Sequence, residues 1–278
     1  MENIIIERIK KYINEKSLNE VNASREVMQE ITLFALSKTD FFNYASFCGG
    51  TCLRISYDLN RASEDLDFSL NKKDLDFSIS NYFPEIKKVF NTFGIEVTLE
   101  EKSLTAVKSA FLKNDTILKE VVIRPTGRLQ TLKIKMEIDS NPPKGANHEY
   151  KYSNFPLPYR YKTFDLSSLF AGKIHAILSR NWVKGRDYYD YLFYLGKDAP
   201  INMKLLNNAL RQTGGIKEDE EISNLDLEKM LIDKFSILDM KEVKKDCERF
   251  VNGTSVLENL DNDLLIGLTK NYFCKFHK

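Results

Sequence analysis

The chain has 278 residues, 29% of them charged and balanced to a net charge of +1, which suits two domains with a sizeable core and excludes an overall positive field, though not a local basic site. Its four cysteines, Cys48, Cys52, Cys247 and Cys274, contain no Cys-x-x-Cys pair, and its three histidines, His148, His175 and His277, have no zinc spacing, so free thiols in a reducing compartment are expected. The charged opening Met1–Arg8 is not a signal peptide and no apolar run reaches membrane-spanning length, so the expectation is a cytoplasmic protein with no membrane partner.

In chain order, apolar residues at Ile5, Ile9, Tyr12, Ile13, Val27, Ile31 and Phe34 predict helix over 4–38. A strand is expected from Asn43 to Cys48, then a turn at Gly49-Gly50, a helix from Thr51 to Leu59 and a strand from Asp65 to Ser69. A helix over 81–93 stops near Gly94. Strands follow at 95–99, 103–111, 118–123 and 132–139. The last alternates strictly, with Leu132, Ile134, Met136 and Ile138 apolar and Lys133, Lys135, Glu137 and Asp139 polar, until Pro142-Pro143. A Pro- and Tyr-rich connector spans 142–163. Helices then run to the end: one capped by Asp165 and reaching about Arg180, one from Arg186-Asp187, and others at 203–211, 225–235, 241–251 and 256–268.

The chemistry concentrates in Cys48-Gly49-Gly50-Thr51-Cys52-Leu53-Arg54 and Arg61-Ala62-Ser63-Glu64-Asp65-Leu66-Asp67-Phe68. A glycine turn opening a helix can hold phosphate oxygens on free N–H groups, with Thr51 adding a hydroxyl and Arg54 a charge one turn on. Asp65 and Asp67 alternate along a strand and so share a face, where together they can grip one divalent cation. Glu137 on a neighbouring strand is the natural third ligand, with Asp139 as its substitute. Magnesium suits a few carboxylates completed by phosphate and water oxygens. Asp-x-Asp alone also describes a solvated strand end, and Gly-Gly a plain turn. Their closeness points to phosphoryl or nucleotidyl transfer.

Lys173 interrupts an apolar helix and must reach water or meet a negative group, a nucleoside triphosphate being one. Asp187 opens the next helix as a cap or first-turn acid. Lys102, Lys108, Lys113, Lys119, Arg124, Arg128, Lys133 and Lys135 stand against Asp115 and Glu120 alone. That stretch suits either a solvated sheet face or a track for a nucleic-acid backbone. His175, Trp182, Tyr188, Tyr189 and Tyr191 read as packing residues.

Taken together, Gly49-Gly50-Thr51, Asp65-Leu66-Asp67-Phe68, Lys135-Met136-Glu137, Lys173 and Gly185-Arg186-Asp187-Tyr188-Tyr189-Asp190 resemble the AbiEii/AbiGii-type nucleotidyltransferase toxins over about residues 45 to 195. These are the toxin halves of bacterial abortive-infection and toxin–antitoxin pairs. The resemblance implies an α+β DNA polymerase β-like nucleotidyltransferase fold, with a mixed or antiparallel sheet and helices, over 1–142. A C-terminal helical domain would follow over 143–278. It implies Mg2+ and an NTP substrate, an antitoxin partner, and an RNA acceptor, since some relatives extend the tRNA 3′ end and stop translation in phage defence. By this likeness Asp65, Asp67 and Glu137 hold metal, and Gly49, Gly50, Thr51, Arg54, Lys173 and Arg186 bind the nucleotide. Asp187 matches a helical-domain aspartate needed for activity. Thr51 stands where many relatives carry serine, and the family's third sheet carboxylate is less regular than the Asp pair. A protein or small-molecule hydroxyl as acceptor, and a non-catalytic nucleotide-binding module, are the alternatives. The intact acid pair argues against the module.

Overall fold

A computed structural model describes residues 2–103, 107–115, 117, 131–251 and 255–276. They divide into two units: Met1–Asp58, Ala62–Pro142 and His148–Thr163 form one, and Leu59–Arg61, Pro143–Asn147 and Phe164–Lys278 the other.

In the first unit the helix expected over 4–38 is two, α1 (Glu2–Lys16) and α2 (Glu20–Ser37). Ser17 takes φ 52, a left-handed conformation that ends α1, and the Asn19 side chain accepts from the Asn22 N–H to cap α2. Most of α2 is buried, including Glu26 and Glu30, and both acids are paired. Lys16 and Arg54 meet Glu26, while Arg8 and Tyr12 meet Glu30. There follow α3 (Phe41–Tyr44), β1 (Ala45–Cys48), α4 (Gly49–Tyr57), β2 (Leu66–Leu70) and α5 (Phe83–Thr92). Next come β3 (Thr98–Ser103), β4 (Val107–Asn114) and β5 (Leu132–Asp139). The strand expected over 118–123, with Lys119, Glu120, Arg124 and Arg128, lies outside the described residues. The connector proves to hold β6 (His148–Ser153) and β7 (Tyr159–Phe164), so residues 148–163 belong to the first unit and not, as expected, to the helical one.

The seven strands form one mixed sheet in the order β3-β4-β5-β2-β1-β7-β6. β1 with β2, β3 with β4 and β4 with β5 are antiparallel, whereas β2 with β5 and β1 with β7 are parallel. The strict alternation of β5 does what period two requires. Leu132, Ile134, Met136 and Ile138 are buried, beneath α2. Phe41, Phe47, Phe68 and Tyr161 join them in edge-on and tilted ring contacts. Each such side chain contributes about 1.5–3 kcal/mol. The polar residues of β5 face the other way. In the parallel pairing Asp67 lies opposite Glu137, and in the antiparallel one opposite Cys48.

The second unit is helical: α6 (Leu166–Ser179), α7 (Gly185–Gly196), α8 (Met203–Gln212), α9 (Asn224–Ser236), α10 (Met240–Cys247), α11 (Ser255–Glu258) and α12 (Asn262–Phe273). Asp165 caps α6 through the Ser168 N–H, as its position predicts, and Ser223 with Asp226 forms a capping box on α9. The helix expected over 256–268 is instead the pair α11 and α12, the second capped by Asp261. Phe170 stacks on Tyr194 at 4.5 Å, and Tyr191 packs edge-on against Phe235. Tyr188 and Tyr191 are therefore core, as expected. Trp182 is not: it is 67% exposed, with the Arg180 guanidinium 5.6 Å from its ring. Among the described residues no helix is long and apolar enough to cross a membrane.

Candidate active site

In the first unit the turn from β1 into α4 is shaped around Asp67. Gly49 has φ 75, and a Cβ there would fall on the Asp67 carboxylate, so both the backbone conformation and the space demand glycine. The N-cap residue Cys48 makes no side-chain cap bond. The first-turn N–H groups of Gly49, Gly50 and Thr51 have no intrahelical acceptor by the geometry of any helix start. Gly49→Ala should cost about 1–3 kcal/mol of strain and displace Asp67. A lowered melting temperature together with lost activity would check this.

Thr51 has a different job from the one expected. It is 1% exposed, and its hydroxyl meets Ser63 Oγ at 2.8 Å and donates to the Asp65 carbonyl. Gln29 of α2 donates to the Glu64 carbonyl at 2.9 Å and the Ser63 carbonyl at 3.3 Å. The hydroxyl therefore braces the loop that carries Asp65, and only the Thr51 backbone remains suited to a phosphate. Thr51→Val should cost about 1–2 kcal/mol and reduce activity, whereas Thr51→Ser should keep both. Thermal melts and turnover of the two variants would separate the brace from mere packing. Arg54 is buried, with Nε 2.6 Å from Glu26 Oε2, so it ties α4 to α2.

Asp65 directly precedes β2 and Asp67 lies within it, both half-buried. Glu137 is level with Asp67 on β5 and pairs with Lys135 at 2.5 Å. Burial acts to lower the Lys135 pKa. The hydrogen bond to Glu137 and the fields of Glu137, Asp65 and Asp67 outweigh it, so the ammonium is held above its ordinary value. All three carboxylates therefore act on the Lys135 ammonium. Asp139, opposite Ser69, accepts from the Asn141 N–H at 2.9 Å, and burial pushes its carboxyl up, which makes it a poorer cation ligand than Glu137. Among the described residues no three His, Cys, Asp or Glu side chains form a ready metal cage. An acid pair completed by phosphate oxygens needs none, and the donor set fits magnesium.

In the second unit Lys173 meets its negative partners within the helices. Its Nζ lies 2.7 Å from Asp187 Oδ1 and 2.8 Å from Asp190 Oδ2. Arg61 grips Asp190 through Nε at 2.6 Å and Nη2 at 2.7 Å, and Arg180 pairs with Asp187. Three cations thus alternate with two carboxylates. Burial drives the Lys173 pKa down despite Asp190. Asp187 sits in the first turn of α7, where it is an ion-pair partner and not a cap. Arg186, expected at the nucleotide, pairs with Asp246 at 3.4 Å and lies 3.9 Å over Phe250. His175 is hydrogen-bonded to Thr213 at 3.0 Å, in keeping with its expected packing role. The sequence reading gave no role to Asp190, Arg61 or Arg180. The spacing of Asp190 three residues after Asp187, on the same face of α7, was the available signal.

A family model described as nucleotidyl transferase AbiEii toxin, type IV toxin–antitoxin system, matches residues 31–261. The chain belongs to the AbiEii family. The crystal structure of a candidate nucleotidyltransferase from H. pylori superposes with a TM-score of 0.55 at 18% identity, covering 94% of this chain and 98% of that one. The crystal structure of JHP933 from Helicobacter pylori gives a TM-score of 0.54 at 18% identity, covering 94% and 95%. At that identity the likeness is one of fold, and it agrees with the α+β nucleotidyltransferase architecture of this AbiEii chain. A comparison with curated proteins found no significant match.

Proposed function

We propose that this AbiEii toxin is a magnesium-dependent nucleotidyltransferase that moves NMP from an NTP onto the 3′ end of an RNA, with tRNA the expected acceptor. Blocked translation, restrained by an antitoxin partner, would be its role in phage defence. The observation that carries the reading is the packing of the Gly49 turn on Asp67, with Asp65 two residues before and Glu137 level on the next strand. Asp65 and Asp67 would hold the metal, with Glu137 as third ligand. Bound there, magnesium would supply positive charge to the triphosphate and lower the pKa of an attacking hydroxyl.

The chain's own residues do the rest. The N–H groups of Gly49, Gly50 and Thr51 bind phosphate oxygens at the start of α4. Glu137, held by Lys135, accepts a hydrogen bond from the acceptor hydroxyl and takes its proton. The hydroxyl oxygen bonds to the α-phosphorus, and the bond to the bridging oxygen of pyrophosphate breaks. Rate comes from positioning and from charge stabilisation. In the second unit Lys173 and Asp187, proposed as groups the reaction needs, are kept in place by Asp190, Arg61 and Arg180.

Incubation with magnesium, each α-labelled NTP and total RNA, followed by a denaturing gel, tests the acceptor. Label in an RNA band supports the reading. Label confined to a protein band would replace RNA with a protein hydroxyl.

A further inference from the structure

The polar face of the sheet continues outward from the carboxylates and becomes mainly basic there. Asp67, Glu137, Ser109 and Lys102 form one row across β2, β5, β4 and β3, since residues opposed in the ladder share a face. In the next row Phe111 lies between Lys135 and Glu100, and in the one after that Lys133 faces Lys113. The opposite face of the same strands is core, with Ala110, Leu112, Ile134 and Met136 at 0% exposure. Phe111 is therefore an aromatic on the polar side. Lys133 Nζ stands 4.0 Å and Lys102 Nζ 5.8 Å from its ring centroid. Glu100, opposite Phe111 in the ladder and paired with Lys113 at 3.1 Å, adds an acid beside the ring. A half-buried ring flanked by cations is poor core but a sound platform: a base can stack on the ring while the lysines meet its phosphates.

We propose that Phe111, Lys102 and Lys133 form the subsite for the single-stranded 3′ end of the RNA acceptor, with a base stacked on Phe111. The proposal rests on the nucleotidyl-transfer reading for its direction. β4 is two strand spacings from β2, about 10 Å, which is about three stacked nucleotides. A nucleotide stacked on Phe111 would thus be within a few residues of a hydroxyl presented at Asp65 and Asp67. The recognition is of shape, stacking and charge, so it tolerates sequence but requires an unpaired strand.

Binding of a short 5′-fluorescein single-stranded RNA to the full chain, read by anisotropy across a salt series, tests this. Phe111→Ala should weaken binding about ten-fold, the worth of one base–aromatic stack, while Phe111→Trp should hold or tighten it. The Lys102→Ala/Lys133→Ala double variant should flatten the slope of log K against log salt by about 1.4, two single-strand phosphate contacts. Equal affinity of wild type and Phe111→Ala, or no binding by wild type, would overturn the subsite. Loss in Phe111→Ala with retention in Phe111→Trp excludes a folding defect. Should binding depend on Phe111 while no NTP is ever transferred, the platform stands and the transfer reading falls. If transfer to RNA proceeds and Phe111→Ala changes neither binding nor the KM for RNA, the reverse holds.

Discussion

Asp67→Asn should lower nucleotidyl transfer by about a thousand-fold and leave the melting temperature nearly unchanged. The loss follows from removing a charge aimed at a metal, worth several kcal/mol in the transition state, where each 1.4 kcal/mol is about ten-fold. The preserved fold follows from the site's own electrostatics. Asp65, Asp67 and Glu137 all act on the Lys135 ammonium, so neutralising one carboxylate leaves it two others. Asn is isosteric and keeps the space against the Gly49 turn filled. Steady-state transfer and a thermal melt on the same preparations read both halves. A variant as inactive as expected but melting far below wild type would mean that Asp67 is structural.

Asp190→Ala should destabilise the helical unit by about 3–5 kcal/mol, the cost of removing one partner from a buried ion pair. Asp190 is fully buried and Arg61 nearly so, and the carboxylate is shared between Arg61 and Lys173. Removing it takes the bidentate carboxylate from Arg61 and leaves Lys173 paired with Asp187. Burial acts to raise the Asp190 pKa, but Arg61 and Lys173 more than offset it, and the carboxyl lies below its usual range. A depressed folded pKa means that this stabilisation is present above the unfolded value of about 3.9 and is lost as pH falls through the lower folded value. Urea unfolding of wild type and variant, at neutral pH and at acid pH, should show a gap that narrows on acidification. A gap that is small, or independent of pH, would mean that the network relaxes onto other partners.

The parts of this fold legible in the sequence are those set by local pattern. Period two along Leu132–Asp139 gave β5 and the outward face of Glu137, and Gly49-Gly50 marked a turn that only glycine can make. Asp165 and its cap were equally local. Long-range partners were not legible. Nothing near Arg54 in the chain announces Glu26, and nothing near Lys173 announces the way Asp190 joins it to Arg61. The ties made by Arg54 and Arg186 and the brace made by the Thr51 hydroxyl are of this long-range kind. β6 was hidden because its residues, His148-Glu149-Tyr150-Lys151-Tyr152-Ser153, alternate only between half-buried and exposed, with no apolar face for a period to reveal. The break at Ser17 was hidden because helical periodicity continues on either side of it.

Nucleotidyl transfer breaks the bond between the α- and β-phosphates. The most direct measurement uses one NTP carrying label at the α-phosphate and, in a parallel reaction, at the γ-phosphate, with magnesium, total RNA and the wild-type chain. The expected result is that α-label enters RNA while γ-label is released as pyrophosphate. γ-Label entering RNA or protein would make the protein a phosphoryltransferase and contradict the account.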